Sequence, residues 1–352
     1  MSIWTRSPAT PRPFRISTAM SQVIPAEWAP HRAMWVGWPS HAELWGDDLE
    51  QAQSEVEGLV RALAGPGREQ VKLMIGADEA LADAQARFDG VEGVTVVPGR
   101  FGDIWLRDTG PIFGPGSKTA AAFAFNGWGE KYVYPHDTEV ADQIGEAAGV
   151  PLTRHSAILE GGSLDHDGLG TILTTRQCLL NPNRNAGWTE NVAGIALAEA
   201  LGARKIIWLG DGLLNDHTDG HVDNLARFIA PGVVAVPMAF GTNDPNTFAY
   251  ENAAAAVRAA TDAEGNPLKV MLIPSPGFVG DGDERPIPAS HMNFLIANGA
   301  VIVPTYGNAL AARLACEALA TVFPDREIIP LPSKAILTGG GSFHCISQQE
   351  PA

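Results

Sequence analysis

Apolar and polar positions recur in one order along most of this chain. Two short runs rich in β-branched residues or alanine, separated by Gly, Asn or Pro, read as a hairpin. A stretch with apolar residues at i, i+3 and i+4 then predicts a helix, and a third short run ended by Gly or Pro predicts a strand. The unit is plainest in "SHMNFLIANGAVIVPTYG", a helix over 308–322 and "REIIPLP", with Asn298-Gly299 as the hairpin turn signal. The same order runs through "GHVDNLARFIAPGVVAVPM", a helix over 246–262 and "LKVMLIPSP". It runs again through "EGGSLDHDGLGTILTT", a helix over 188–202 and "ARKIIWLG". "DIWLRDTGPIFGPGSKTAAAFAFN" and a helix near 138–149 begin a fourth unit. The fifth is split: "AMWVGWPS", a helix over 47–64 and "VKLMIG" come from the front, and the strand carrying Cys345 comes from the back.

Repeats of this length build rings or solenoids. A solenoid leaves two apolar ends, whereas a unit shared between the two termini closes a ring and buries them. The pattern therefore predicts an α/β protein of five ββαβ units around one centre, each hairpin bringing a different polar motif inward. Residues 21–352 are expected to form a single domain. Residues 1–20, "MSIWTRSPATPRPFRISTAM", hold three arginines, three prolines and no acid, and are expected to be a disordered extension, with Met20 as a candidate start.

Composition narrows this picture. The chain is 352 residues long and 45% hydrophobic, ample for a core. It has neither an apolar run of the roughly 18 to 20 residues that a membrane span needs nor a cationic leader before an apolar segment, so a cytoplasmic setting is expected. A formal charge of −16 repels nucleic acid and anionic membranes and favours a cationic small-molecule partner. Three cysteines argue against a disulfide framework and match no zinc spacing. Cys316 reads as the apolar face of a helix and Cys178 as a buried strand. Cys345 is different, because "GGGSFHC" places three glycines before a thiol near the terminus, where a chain so built would fray unless the segment completes a sheet.

Four polar clusters fall at corresponding places in the units: Trp105, Arg107 and Asp108; Glu160; Asp219, His221, Asp223 and Asn224; and Cys345. A thiolate is a nucleophile, and a nearby imidazole can generate it and shuttle protons. On a strand, His221 and Asp223 project to the same face with Val222 buried behind them. Asp108, Glu160 and Asp223 would meet at the centre and repel one another unless a cation lies among them. His217 and His221 are spaced poorly for zinc off a helix, so no metal and no cofactor is expected. A guanidinium suits paired carboxylates through forked hydrogen bonds, and Trp105 offers it a flat face. Arg107 reads as an ion-pair partner of Asp108. Gly339, Gly340 and Gly341, like Gly161 and Gly162, would let backbone approach a ligand.

In this order, "WLRDTGP", "EGGS", "TDGHVDN" and "GGGSFHCISQQEP", with the opening "PAEWAPHRAMWVGWP", resemble the agmatine deiminase and bacterial peptidyl-arginine deiminase group, from about residue 24 to the end. The resemblance implies a pentein α/β-propeller: five ββαβ repeats around a pseudo-fivefold axis, forming one catalytic domain. It also implies metal-free hydrolysis of a guanidine. Carried over residue by residue, Cys345 is the nucleophile and His221 the general acid and base, while Asp108 and Asp223 grip the guanidinium. Trp105, Glu160, Gly340 and His217 line the substrate site. The family pattern has an acidic residue where this chain has His217, which makes His217 a candidate selector of the substrate's distal group. Agmatine is the expected substrate. Peptidyl-arginine, free arginine, amidino transfer to an amine, and a non-enzymatic guanidine-binding module are the alternatives. Homo-oligomer formation through exposed ring edges is left open.

Overall fold

The computed structural model describes residues 23–282 and 285–352; the extension expected over 1–20 lies outside the described residues. Five small sheets account for all sixteen strands of the described residues. Four of them repeat one plan: a hairpin, a helix, and a third strand parallel to the second. In the unit that contains Glu160, Asp165–His166 pairs antiparallel with Thr171–Thr175, helix Glu190–Leu201 follows, and Lys205–Leu209 runs parallel. The next has Arg227–Ala230, Val233–Met238, helix Thr247–Ala259 and Lys269–Pro274. After it come Leu295–Ile296, Ala300–Thr305, helix Ala309–Ala320 and Glu327–Pro332. The unit that contains Asp108 has Ile112–Phe113, Ala120–Ala124, helix Val140–Ala148 and Leu152–Ile158.

The split unit joins the two ends of the chain. Ser347–Pro351 lies antiparallel to His31–Trp38, with Gln348 opposite Trp35, and Val71–Ile75 runs parallel on the other side. Helix Leu49–Ala64 connects these last two strands. A feature absent from the sequence expectation follows: helix Asp78–Phe88 and strand Val94–Pro98 extend this sheet to four strands.

The helices explain why five sheets become one body. Each packs against its own sheet and that of the unit before it. Ala193, Leu197 and Leu201 share a core with Ala121 of the preceding sheet. Tyr250, Ala253 and Val257 pack with Leu173 and Ile207, and Ala315 and Leu319 pack with Ile273. Closure follows the same rule: Val56, Leu59, Val60 and Leu63 of helix Leu49–Ala64 share a core with Leu295 and Ile302 of the unit that contains Ala300–Thr305. Burying each such side chain contributes about 1.5–3 kcal/mol. A polar clasp reinforces the seam. Asn298 exchanges hydrogen bonds with the His31 backbone at 2.9 and 3.1 Å, and its own N–H donates to Glu69 Oε1 at 2.8 Å. The Asn298-Gly299 turn forms without positive φ at either residue. Gly299 is needed instead for close approach, because a Cβ there would lie 2.3 Å from the Pro66 carbonyl oxygen.

Arg227 ties the units together in the interior. It is fully buried, pairs with Glu27 and with Asp165 Oδ2 (2.6 Å), and donates to the carbonyls of Met292 and Phe294 at 3.1 Å. Glu27, Asp165, Arg107 and His344 also line a small interior cavity.

Candidate active site

Each unit delivers its polar group from the same place, a tight turn just ahead of the strand that begins its hairpin. Asp108 lies in the helical turn Leu106–Thr109. Glu160 precedes the turn Gly161–Ser163, and His221 precedes Val222–Asn224, which contains Asp223. Asn293 ends the turn His291–Asn293, with Ser290 capping it through Met292 N. Cys345 lies in the turn before Ser347–Pro351. Five equivalent turns thus converge on one centre, and their side chains are buried.

Three expectations need correction. His221 and Asp223 do not alternate along a strand. His221 is extended at the start of a single 3-10 turn, and both side chains still reach the centre because that turn brings them around. Arg107 does not pair with Asp108. It donates to Gln349 Oε1 at 2.6 Å and to the His344 carbonyl at 3.3 Å, while Asp108 accepts from Trp128 Nε1 and Gly162 N, both at 2.9 Å. Cys178 lies in the helical turn Arg176–Leu179, capped by Thr175, and is fully buried. Cys316 is on helix Ala309–Ala320 and packs half-buried against the core, as read.

Around Cys345 the contacts are close. Asn293 Nδ2 donates to Cys345 Sγ at 3.1 Å and to Asp223 Oδ2 at 3.2 Å, and Asn293 Oδ1 accepts from His344 N at 2.9 Å. The thiol faces Asp223 Oδ2 at 3.6 Å. Asp223 is held from behind by His344 Nδ1 at 2.8 Å, and His344 Nε2 contacts Glu27 at 3.0 Å. His221 stands between carboxylates, with Nδ1 3.7 Å from Asp108 Oδ1 and Nε2 3.9 Å from Glu160 Oε2. Glu160 is also paired with Arg184 at 2.6 Å. Gly162 fits because a Cβ there would lie 2.6 Å from His221 Nδ1 and 2.8 Å from Asp108 Oδ1.

Trp105 lies at the mouth but is covered on one side. Its indole N–H donates to Asp103 at 2.8 Å, Trp45 packs beside it with ring centroids 6.3 Å apart, and the glycine segment 339–341 lies against both rings. Gly340 adopts a φ of +116°, open to glycine at little cost, and a Cβ on it would meet His217 Nδ1 at 3.1 Å. His217 is exposed at this rim, near Tyr132 at 5.9 Å between centroids.

The charges are unbalanced. Burial raises Asp108 to about 6, with Asp223 and Glu160 adding to it against the opposing pull of His221. Burial tends to lower His221, but Asp108, Cys178 and Glu160 outweigh it and hold the imidazole well above its usual range. Burial, then Asp223 and Asp108, push the Cys345 thiol well up. Asp223 stays low because His344 overcomes its burial. Among the described residues, neither ring nitrogen of His221 and not Asp223 Oδ1 has a hydrogen-bond partner. Buried polar atoms without partners are costly, and such a set is arranged to receive something polar and cationic.

Trp128, Arg184, Asn293 and His344 belong to this centre and were not among the sequence candidates. Asn293 had a usable signal, since "SHMN" opens its hairpin where "GHVDN" opens the one before it. His344 adjoins the thiol. Trp128 and Arg184 sit in connecting segments whose paths a hydrophobic pattern does not trace.

The five ββαβ units and their convergent turns define a pentein α/β-propeller. An amidinotransferase from Microseira wollei shares this fold, with a TM-score of 0.57 over 92% of this chain and 95% of that one at 12% identity. The family itself is settled by closer matches: residues 23–351 fit the Porphyromonas-type peptidyl-arginine deiminase family, and the chain belongs to it. An agmatine deiminase from Stutzerimonas stutzeri is 38% identical over 94% of this chain and 95% of its own length. The solved agmatine deiminase of Enterococcus faecalis superposes with a TM-score of 0.86 at 33% identity, covering 94% of this chain and 95% of that one.

Proposed function

We propose that this chain is an agmatine deiminase, hydrolysing agmatine to N-carbamoylputrescine and ammonia through Cys345. The observation that carries the reading is the buried set of Asp108, Glu160 and Asp223 around a thiol and an imidazole, with Asp223 Oδ1 left open to accept from a cation. Asp108 and Asp223 bind the guanidinium nitrogens and turn its carbon toward Cys345 Sγ. The same carboxylates that hold the thiol protonated in the free enzyme are neutralised by the substrate's charge, so binding the guanidinium favours the thiolate, and the thiol proton is released to solvent. Sulfur adds to the guanidinium carbon to give a tetrahedral adduct. The His221 imidazolium gives its proton to the departing nitrogen, ammonia leaves, and an amidino-thioether remains on Cys345. Neutral His221 then takes a proton from water as the water oxygen adds to the same carbon. Collapse breaks the C–S bond as the adduct's hydroxyl proton passes to the departing sulfur, which restores the thiol and leaves the ureido product.

Glu160 orients His221, and Asn293 steadies the sulfur through its amide donor. Trp105, Gly340 and His217 shape the mouth. Residues 21–352 act as one catalytic domain. A reducing cytoplasm suits the three free cysteines. No helix of the described residues is long and apolar enough to cross a membrane.

Ammonia release from agmatine, free arginine and a blocked arginine peptide, with Cys345→Ala alongside, tests the reading. Release from agmatine above the other two, absent in Cys345→Ala, is expected. Release from arginine or the peptide alone would retain the chemistry and overturn the substrate. Full turnover in Cys345→Ala would overturn the nucleophile.

A further inference from the structure

Behind His221 lies a second thiol that the reaction does not use. Cys178 is fully buried, and ligand atoms of Glu160, Cys178 and His221 lie within 4.8 Å of one another. His221 Nε2 is 3.9 Å from Glu160 Oε2. Tetrahedral zinc bonds its ligands at about 2.0–2.3 Å, which sets neighbouring ligand atoms roughly 3.3–3.7 Å apart. The His221–Glu160 pair therefore needs to contract by only part of an ångström to close on one ion, and no pair by more than roughly 1.5 Å. Arg184 holds Glu160 through Oε1 at 2.6 Å, which leaves Oε2 turned to the imidazole. His221 is 1% exposed, and its ring nitrogens lie 3.7 Å from Asp108 and 3.9 Å from Glu160, too far for an ordinary hydrogen bond, so Nε2 faces Glu160 with room for an ion.

We infer that Glu160, Cys178 and His221 form an inhibitory site for a thiophilic divalent cation of the zinc type. The donor set of one thiolate, one imidazole and one carboxylate selects Zn²⁺ or Co²⁺ over Mg²⁺ and Ca²⁺, which prefer all-oxygen shells. On binding, the Cys178 thiol and the His221 imidazolium each release a proton to solvent, and the metal takes both vacated electron pairs. A metallated His221 can neither protonate ammonia nor accept a proton from water, so turnover stops. The inhibition rests on the function proposed above; the binding itself does not.

The test uses chelator-treated full-length protein titrated with Co²⁺, reading the thiolate-to-cobalt charge-transfer absorption, with Zn²⁺ as competitor and ammonia release measured in parallel. Saturable absorption is expected in the unmodified chain and in Cys345→Ala. Cys178→Ala should lose the absorption and saturable binding, while its metal-free form still turns over and resists Zn²⁺. Cys178→Ser serves equally if the alanine variant does not fold, because a hydroxyl gives no such absorption. Absorption that survives in the Cys178 variants, or vanishes only in Cys345→Ala, would put the ion on the nucleophile and overturn the site. So would an unmodified chain that binds neither metal. If the metal behaves as described and no guanidine is turned over, the functional reading fails and the site stands.

Discussion

Arg227 and His221 are both buried cationic groups in the ring interior, a short distance apart through Asp223 and His344. Arg227 has two carboxylate partners and two carbonyl acceptors. His221 has Asp108 at 3.7 Å and Glu160 at 3.9 Å, both beyond an ordinary hydrogen-bond length, with the Cys178 thiol close by. Around Arg227 the hydrogen bonds are complete: Glu27, despite its burial, is held well below its usual range by Arg227 and then His344, while burial still pushes Asp165 up to about 7. Around His221 they are not, and Asp108 is raised by its burial. A buried charge set that is satisfied fixes the positions of chain segments. One left unsatisfied stores a preference for a ligand. His344 joins the two by contacting Glu27 with one ring nitrogen and Asp223 with the other, so the satisfied cluster braces a carboxylate of the open one.

Neutralising Asp108 should have the largest functional effect and separate the two clusters most cleanly. Asp108→Asn removes half of the guanidinium grip, and losing one partner of a buried charge pair costs about 2–5 kcal/mol, or roughly 30- to 5,000-fold in kcat/KM. Stability should change little, because relief of a disfavoured buried carboxylate is offset by the loss of one acceptor for Trp128 Nε1 or Gly162 N. A large drop in Tm with activity retained would place Asp108 with the structural charges instead.

Arg227→Met is the converse experiment. It leaves Glu27 and Asp165 without their cation, and breaking such a buried set costs about 3–5 kcal/mol. The expected result is a large fall in Tm by calorimetry, with any residual activity tracking the folded fraction. A Tm close to that of the unmodified chain would mean the cluster relaxes without cost, and its bracing role would fall.

The ring was legible because four units carry intact hairpin, helix and strand signals, and because Cys345 at one end needed a strand at the other. What escaped has physical reasons. Asp78–Phe88 and Val94–Pro98 add to a sheet already complete by the repeat rule. The Arg107–Asp108 pairing failed because neighbouring residues in a helical turn point about 100° apart and do not face each other. That turn aims Asp108 at the centre and sends Arg107 toward Gln349. The strand reading of His221 and Asp223 identified the right pair from the wrong backbone, since polar residues on a tight turn can converge as well as those on one strand face. Trp128 reaches Asp108 from a turn in which its own φ is +54°, a conformation that no periodicity announces.

A third buried acidic pair sharpens the contrast at the smallest scale. Asp103 holds the Trp105 indole and is raised to about 7, first by burial and then also by the charge of Asp137. Asp137 is raised to about 6, mainly by burial, with its hydrogen bonds from Gly102 and Asp103 and the charges of His41 and His136 opposing. Both folded values lie above the ordinary 3.8, so the folded state keeps protons that the unfolded chain has released. Their contribution to stability is therefore complete below about pH 4 and is lost as pH rises through about 6 and 7. Asp137→Asn keeps the Oδ1 acceptor for Gly102 N at 2.7 Å and replaces Oδ2, which has no partner among the described residues. Denaturant titrations of both proteins from pH 4 to 8 should show a shallower decline in the variant. At pH 8 it should gain on the order of 1–2 kcal/mol. Identical slopes would mean that Asp137 ionises without cost, and the raised carboxyl beside Trp105 would be Asp103 alone.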